Sequence, residues 1–262
     1  MFIYMNDKPL ILIDCSYYIF YRYFATLKWY SFQGLSFNNE KLNQDYLDAF
    51  KKHVQNDLLK IKKKYKTIEK NIIFGLDCSR EDIWRNEYHD NYKGKRITNV
   101  NFNKEIFTYF KENLMNELNL NLLSGDNLEG DDVIAILHEQ LVNNEKIIIT
   151  NDNDYIQLID KKTKIVNMQF KDIVDRLEIE LENHLILKAL IGDKSDNIKK
   201  IGNISKKQAI ELSKMLDNEL KEWLVNNNLL KEFNNNIRLI DFKYIPEDKK
   251  LNLLNKLNFI KE

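Results

Sequence analysis

The sequence predicts an α/β fold: a parallel sheet flanked by helices. Three observations carry that prediction. Short apolar runs rich in β-branched residues, Leu10-Ile11-Leu12-Ile13, Asn71–Leu76 and Ile147-Ile148-Ile149-Thr150, read as strands buried on both faces. Stretches of helical periodicity separate them, as crossovers between parallel strands require. Each run ends at acidic residues, Asp14, Asp77 and Asp152 with Asp154, and the carboxyl ends of strands are where open α/β sheets build sites.

In chain order, the first strand leads into an aromatic-rich helix from Ser16 to about Tyr30 that contains Arg22; its Tyr and Phe rings are assigned to the core. A second helix spans Asn43 to Lys66, and its basic run from Lys51 reads first as a solvated face, with a DNA-facing role as the alternative. His53 has no nearby His or Cys, which argues against a zinc site. The second strand, Asn71–Leu76, ends at Asp77. The segment 80–118 combines Trp84, the stacking ring Tyr92 and the cations Lys93 and Arg96, which share a face if this part is helical. An amphipathic helix follows, from about Asn103 to Leu118.

The unit from Leu122 to Asp154 organises the chain. Glu129, Asp131 and Asp132 open a helix over Val133–Val142, a strand follows at Ile147–Thr150, and Asp152 and Asp154 close it. A single acidic cluster at a helix start is explained by the helix dipole. Two clusters bracketing one helix–strand unit favour divalent cations, because carboxylates held together raise one another's pKa. Oxygen donors suit Mg²⁺ or Mn²⁺ rather than zinc. An EF-hand is excluded, since Ile156 and Gln157 stand where a polar ligand and a glycine are needed.

Beyond Asp154 the pattern predicts a short helix, a strand at Lys164–Met168, a polar connection over Asp172–Glu182 and a helix at Glu182–Leu190. Asp193 and Asp196 then lie three apart in a turn. Ser205 and Gln208 form an S-x-x-Q capping box opening a helix over Gln208–Met215. A helix–turn–helix with Lys206 and Lys207 at the second helix start suits phosphate, gripping a duplex backbone without reading bases. Residues 218–262 carry no further signal.

Composition sets limits. The 262 residues suffice for a large core and a smaller companion unit. Lys+Arg and Asp+Glu both number 40, but setting the nine candidate metal ligands aside leaves 31 acidic against 40 basic residues. That basic remainder is compatible with nucleic acid. Cys15 and Cys78 form no disulfide framework and read as small residues filling tight spots. No signal peptide or membrane-length apolar run is present, so a soluble, intracellular protein is expected.

In this order and spacing, Ile11-Leu12-Ile13-Asp14, Phe74-Gly75-Leu76-Asp77, Tyr92–Arg96, Glu129–Asp132, Thr150–Asp154 and Gly192–Asn197 resemble the 5′-nuclease, or flap endonuclease, family, closest to its compact bacterial and phage-type 5′-3′ exonucleases. The resemblance covers roughly residues 10–215. It implies a PIN-like (resolvase-like) nuclease domain over 1–180 with a helical arch at about 80–118, and a helical helix–three-turn–helix domain over 181–262. It implies two Mg²⁺ ions, replaceable by Mn²⁺, one surrounded by Asp14, Asp77, Glu129 and Asp131 with Asp132 close by, the other surrounded or approached by Asp152, Asp154, Asp193 and Asp196. Lys93 and Arg96 match arch cations on the scissile phosphate, Tyr92 the neighbouring stacking ring, and Arg22 a basic residue near the substrate. Lys199, Lys200, Lys206 and Lys207 are expected on duplex DNA.

The implied activity is two-metal hydrolysis of DNA phosphodiesters at 5′ flaps, duplex ends and single-strand/duplex junctions, in replication and repair, extending to RNA–DNA hybrids. A monomer is implied, cytoplasmic in a bacterial or phage setting, and no sliding-clamp peptide is seen. Two departures stand out. Cys15 replaces the usual Gly after the first Asp. The hairpin pattern G-V-x-G-I-G reads Lys200-Ile201-Gly202-Asn203-Ile204-Ser205, which counts against the K⁺ ion that the resemblance implies there. Alternatives are a junction resolvase, a 5′-exoribonuclease, or a non-catalytic DNA-structure binder; retention of all nine acids argues against the last.

Overall fold

The computed structural model describes residues 2–5, 7–35, 42–94, 102–177 and 179–261. Strand β1 (Phe2–Met5) precedes β2 (Leu10–Asp14). Helices α1 (Cys15–Phe32) and α2 (Gln44–Tyr65) follow, then β3 (Ile72–Leu76). Next come α3 (Glu105–Thr108), a π-helical turn at Tyr109–Leu114, α4 (Met115–Glu117) and β4 (Asn121–Ser124). The central unit is α5 (Gly130–Gln140), β5 (Lys146–Ile149) and β6 (Thr163–Val166). The remainder is α6 (Leu181–Ile191), α7 (Lys206–Leu212), α8 (Asp217–Asn226), α9 (Leu230–Ile240), α10 (Glu247–Asn255) and β7 (Asn258–Lys261). No helix among the described residues is long and apolar enough to cross a membrane.

The main sheet has the order β4-β3-β2-β5-β6 and is parallel throughout. Its strands are continuous apolar runs because both faces are covered. Leu10 and Leu12 face a core shared with α5, while Ile11 and Ile13 face α1, α2 and the 105–117 helical segment. Register aligns the ends: Asp14 lies opposite Gly75 and Ile13 opposite Ile149, so Asp14, Asp77 and Asp152 come out on one edge. A third core joins Ile83 and Tyr92 to α6, α7, α8 and α9.

Three parts differ from the sequence reading. Among described residues, 80–94 forms short 3₁₀ segments and turns rather than a helix. Lys93 there has φ +54°, a left-handed rather than a helical conformation, and Arg96, expected on the same helical face, lies outside the described residues. The helix predicted from Gln208 begins at Lys206, because Ser205 is its N-cap and accepts from the Gln208 N–H at 3.1 Å. The silent C-terminal stretch is mostly helical and returns to the sheet: Phe242, Ile245, Leu253 and Leu257 enter the core around α5, and β7 pairs in parallel with β1. Its contacts are tertiary, so no local motif announces them.

Gly75 and Gly130 let β3 approach the start of α5. A Cβ on Gly75 would lie 2.7 Å from the Gly130 carbonyl oxygen and 2.8 Å from Ile134 Cγ1. Gly75→Ala is therefore expected to destabilise the fold by about 1–3 kcal/mol through overpacking, measured by urea unfolding. An unchanged midpoint would show that the strand and helix can part freely.

Candidate active site

The acidic edge opens into a cleft of about 720 Å³ lined by Asp14, Asp77, Glu129, Asp131, Asp152, Asp154 and Asp193. Each acid is placed by an element end. Asp14 caps α1, accepting from the Tyr17 N–H at 3.0 Å, and its other oxygen accepts from Thr150 Oγ1 at 2.9 Å. Asp77 accepts from the Gly130 N–H at 2.7 Å and from Ser16 Oγ at 2.5 Å. Asp152 caps the turn Asn153–Leu158 and accepts from the Asp154 N–H at 2.9 Å. Asp193 folds its own turn, accepting from the Ser195 N–H and Oγ at 2.7 and 2.6 Å.

The acids fall into two electrostatic groups. Burial, and then the neighbouring Asp77 and Asp152, push Asp14 up to about 7. Burial and then Asp154 push Asp152 up to about 6. Asp131 is raised well above the ordinary range by burial and then by Glu129 and Asp132. The second group is neutralised by basic side chains. Burial works upward on Glu129, but Lys93 and Arg85 outweigh it and hold Glu129 below its usual value. Burial likewise opposes ionisation of Asp193, yet Lys188 holds it well below. Lys188 pairs with Asp154 and, at 2.7 Å, with Asp193.

The first group is a set of hard oxygen donors that resist ionisation because burial and mutual repulsion outweigh the basic groups nearby. That is the environment a divalent cation satisfies. Two sets of carboxylate oxygens lie within 4.8 Å of one another: Glu129, Asp131 and Asp132, and Asp154, Asp193 and Asp196.

Several expected roles are revised by placement. Asp132 is fully buried and turned into a bracket. Its oxygens accept from Arg85 Nη1 and Nη2 at 2.8 and 2.7 Å, Trp84 Nε1 at 2.9 Å and the Glu129 N–H at 3.0 Å. Four donors leave it little capacity for a ligand. Tyr92 is 5% exposed, with its hydroxyl 3.1 Å from both Glu129 and Asp196, so its ring is not offered to a base. Arg22 does not face the cleft; it pairs at 2.5 Å with buried Asp57 of α2, which Tyr18 also engages. Asp57 in that interior needs a counter-charge, and Arg22 supplies it. Lys93 does line the cleft, contacting Glu129, with its N–H bonded to the Asp196 carbonyl at 3.0 Å. Asp196 is buried beside it, 3.9 Å from Lys93 Nζ. Lys199, Lys200, Lys206 and Lys207 are exposed.

The sequence reading missed Arg85, Lys188, Ser16 and Thr150. Arg85 contacts lie 44, 47 and 154 residues away, a distance no local pattern spans. Lys188 carried a weak signal, one helical turn before Gly192-Asp193.

Two outcomes follow. Arg85→Ala strands Asp132 and Glu129 as buried charges and is expected to cost about 3–5 kcal/mol in denaturant unfolding, a loss under ~1 kcal/mol contradicting the bracket. Asp14 and Asp152 keep protons in the fold that the unfolded chain has already lost. Their stabilising contribution is present near pH 4 and is lost as pH rises through about 6 and 7. Melts in EDTA should therefore weaken between pH 5 and pH 8, by about that linkage, and Mg²⁺ should restore more stability at pH 8 than at pH 5. Equal Mg²⁺ stabilisation at both pH values would refute a cation site at these groups.

Comparison with known proteins gives a consistent picture. Residues 9–184 match the family described as 5′-3′ exonuclease, N-terminal resolvase-like domain. A 5′-3′ exonuclease of Buchnera aphidicola subsp. Schizaphis graminum is 30% identical over 224 residues, covering 82% of this chain and 73% of the relative. One from Mycoplasmopsis pulmonis is 27% identical, covering 79% and 66%. The thermostable DNA polymerase I of Thermus filiformis is 30% identical over 156 residues, only 18% of its length. Bacteriophage T5 5′-exonuclease bound to zinc superposes with a TM-score of 0.67, covering 95% of this chain and 98% of that one. A bacteriophage T5 flap endonuclease in a pseudo-enzyme-product complex with DNA and metal ions gives 0.63. At 16% identity these likenesses are of fold.

Proposed function

The chain belongs to the 5′-3′ exonuclease family, and on that premise we propose that it hydrolyses DNA phosphodiesters at 5′ ends and 5′ flaps with Mg²⁺, Mn²⁺ substituting. The observation that carries this is the convergence of Asp14, Asp131 and Asp152, all with raised pKa, on one cleft that also holds Lys93 and Lys188. Asp14, Asp77, Glu129 and Asp131 are the residues for one ion, and Asp152, Asp154, Asp193 and Asp196 those for a second. Bound there, divalent ions supply positive charge against the phosphate and lower the pKa of water.

The chain's own groups do the rest. Lys93, which lines the cleft, and Arg96, which lies outside the described residues, are the cations assigned to offset charge developing on the scissile phosphate. Lys188 balances Asp154 and Asp193 and offers a second ammonium to the backbone. Asp132 orients rather than ligates: held by Arg85 and Trp84, it fixes the start of α5 and so the direction of Glu129 and Asp131. Lys206 and Lys207 lie in the first turn of α7, where the dipole disfavours cations unless an anion sits between them. With Lys199 and Lys200 they form the duplex grip. In this reading residues 1–180 carry most of the chemistry, and 181–262 hold the duplex and add Lys188, Asp193 and Asp196 to the cleft, with RNA–DNA hybrids within the substrate range and the chain acting as a monomer.

The test is cleavage of a 5′-labelled DNA flap in Mg²⁺ beside an EDTA control. The Asp131→Asn, Asp152→Asn double variant is expected to lose about 10²–10³-fold or more of the Mg²⁺-dependent rate while still binding the flap. Retained turnover would sink the cation assignment. Absence of cutting in the parent chain despite tight binding would favour a DNA-structure binder.

A further inference from the structure

Three hydrogen-bond donors at the cleft take no part in the carboxylate chemistry. Tyr17 and Asn151 line the cleft, and Arg176 stands at its rim. Arg176 closes a 3₁₀ turn, Val174–Arg176, that follows β6. The turn is pinned to the sheet. The Ile173 N–H donates to the Ile165 carbonyl at 3.2 Å, and Asp172 Oδ1 accepts from the Val174 N–H at 3.0 Å. From there Arg176 Nη1 donates to Asn151 Oδ1 at 2.8 Å. Arg176 is exposed and has no carboxylate partner among the described residues.

That bond fixes the amide as well. A guanidinium only donates, so Asn151 turns its oxygen to Arg176 and keeps Nδ2 for another acceptor. Tyr17 is the third donor. Its hydroxyl oxygen accepts from the Met168 N–H at 3.1 Å, so its own proton remains to be given. Burial chiefly raises the pKa of this hydroxyl, and the charge of Arg176 nearby works against that.

The cations that line the cleft do not cover this side. Lys188 is on α6, Lys194 is in the turn after it, and the Lys93 N–H is bonded to the Asp196 carbonyl of the same turn. The α1 side contributes Ser16, Tyr17 and Phe20, none of them basic. Arg176 brings positive charge to that side, and its Nε and Nη2 are left to take two phosphate oxygens at once. A nucleic acid strand supplies a phosphate at every nucleotide, so the scissile one has neighbours on the same strand.

We propose that Tyr17, Asn151 and Arg176 form a second phosphate site, which holds a non-scissile phosphate of the cleaved strand on the α1 side of the cleft. The site rests on the reading of the cleft as that of a DNA nuclease. The plainer alternative is that Arg176 only props Asn151, and with it the turn that carries Asp152 and Asp154.

The experiment uses 5′ flap DNAs carrying one neutral methylphosphonate at successive positions around the cleavage point. Binding is measured in EDTA and cleavage in Mg²⁺, for the full chain, Arg176→Ala, Arg176→Lys and Asn151→Ala. Arg176 and Asn151 are exposed, so the variants are expected to fold. In the parent, one position other than the scissile one should weaken binding about tenfold, the scale of one charge-assisted hydrogen bond. Arg176→Ala should bind the unmodified flap about tenfold more weakly and lose its sensitivity at that position alone. Its slope of log affinity against log salt should fall by about 0.7–0.9, one phosphate contact. Turnover at saturating flap should stay within about threefold of the parent, because the lost interaction is uniform binding. Arg176→Lys should restore the slope without the full affinity, since an ammonium lacks the fork. Equal methylphosphonate sensitivity in parent and Arg176→Ala, or an unchanged salt slope, overturns the site. So does a loss confined to turnover and shared by Asn151→Ala, which is the mark of a prop for the Asp152 turn. A parent that neither binds nor cuts the flap defeats the nuclease reading and this site with it. A parent that cuts while the variants match it defeats the site alone.

Discussion

The buried guanidinium of Arg85 is the interaction on which the site depends. It is 2% exposed and bonds four acceptors: both oxygens of Asp132, one of Glu129, and through Nε the Leu239 carbonyl at the end of α9. One side chain thus ties the segment after β3, the start of α5 and the C-terminal helices. Without it, Asp132 would be a fully buried carboxylate with only neutral donors, and the acids of the cleft would have no common frame. The tie also explains why the third core, around α6 to α9, sits beside the acidic edge: Ile83 and Tyr92 flank Arg85 in sequence and pack into that core.

Around this bracket the carboxylates divide by what neutralises them. Glu129, Asp154 and Asp193 have Lys93 and Lys188 as internal counter-ions. For Asp14, Asp131 and Asp152 the neutral donors, and the charges of Arg85 and Lys93 on Asp131 and of Lys188 on Asp152, do not offset burial and mutual repulsion. A fold keeps such an arrangement at a cost to its own stability, and the cost is recovered when cations enter. The same argument separates the acid that orients from those left available to a cation. Asp132 carried the same sequence signal as Asp131, and only its four donors distinguish it.

The candidate site was legible where chemistry repeats at strand ends. Asp14, Asp77, Glu129, Asp131, Asp152, Asp154 and Asp193 follow apolar strands or open turns, and the parallel register brings them to one cleft. Arg22 and Tyr92 show where such reading fails. Both are polar residues in suggestive positions, yet Asp57 claims one and Glu129 with Asp196 the other. Their partners lie 35 to 104 residues away in sequence, so the competition for them is settled only in three dimensions.

By itself the sequence determined the parallel sheet, its helical crossovers and the acidic edge, because each follows from local periodicity and from the requirement that buried strands be apolar. Tertiary structure decided which charges are free. It placed Arg85 and Lys188 as counter-ions, turned Asp132 inward, set Lys93 in a left-handed turn, and brought α9 against the α6–α7 hairpin. The reason is that burial and pairing, not residue type, set the free energy of a charge, and both depend on contacts between segments far apart in the chain.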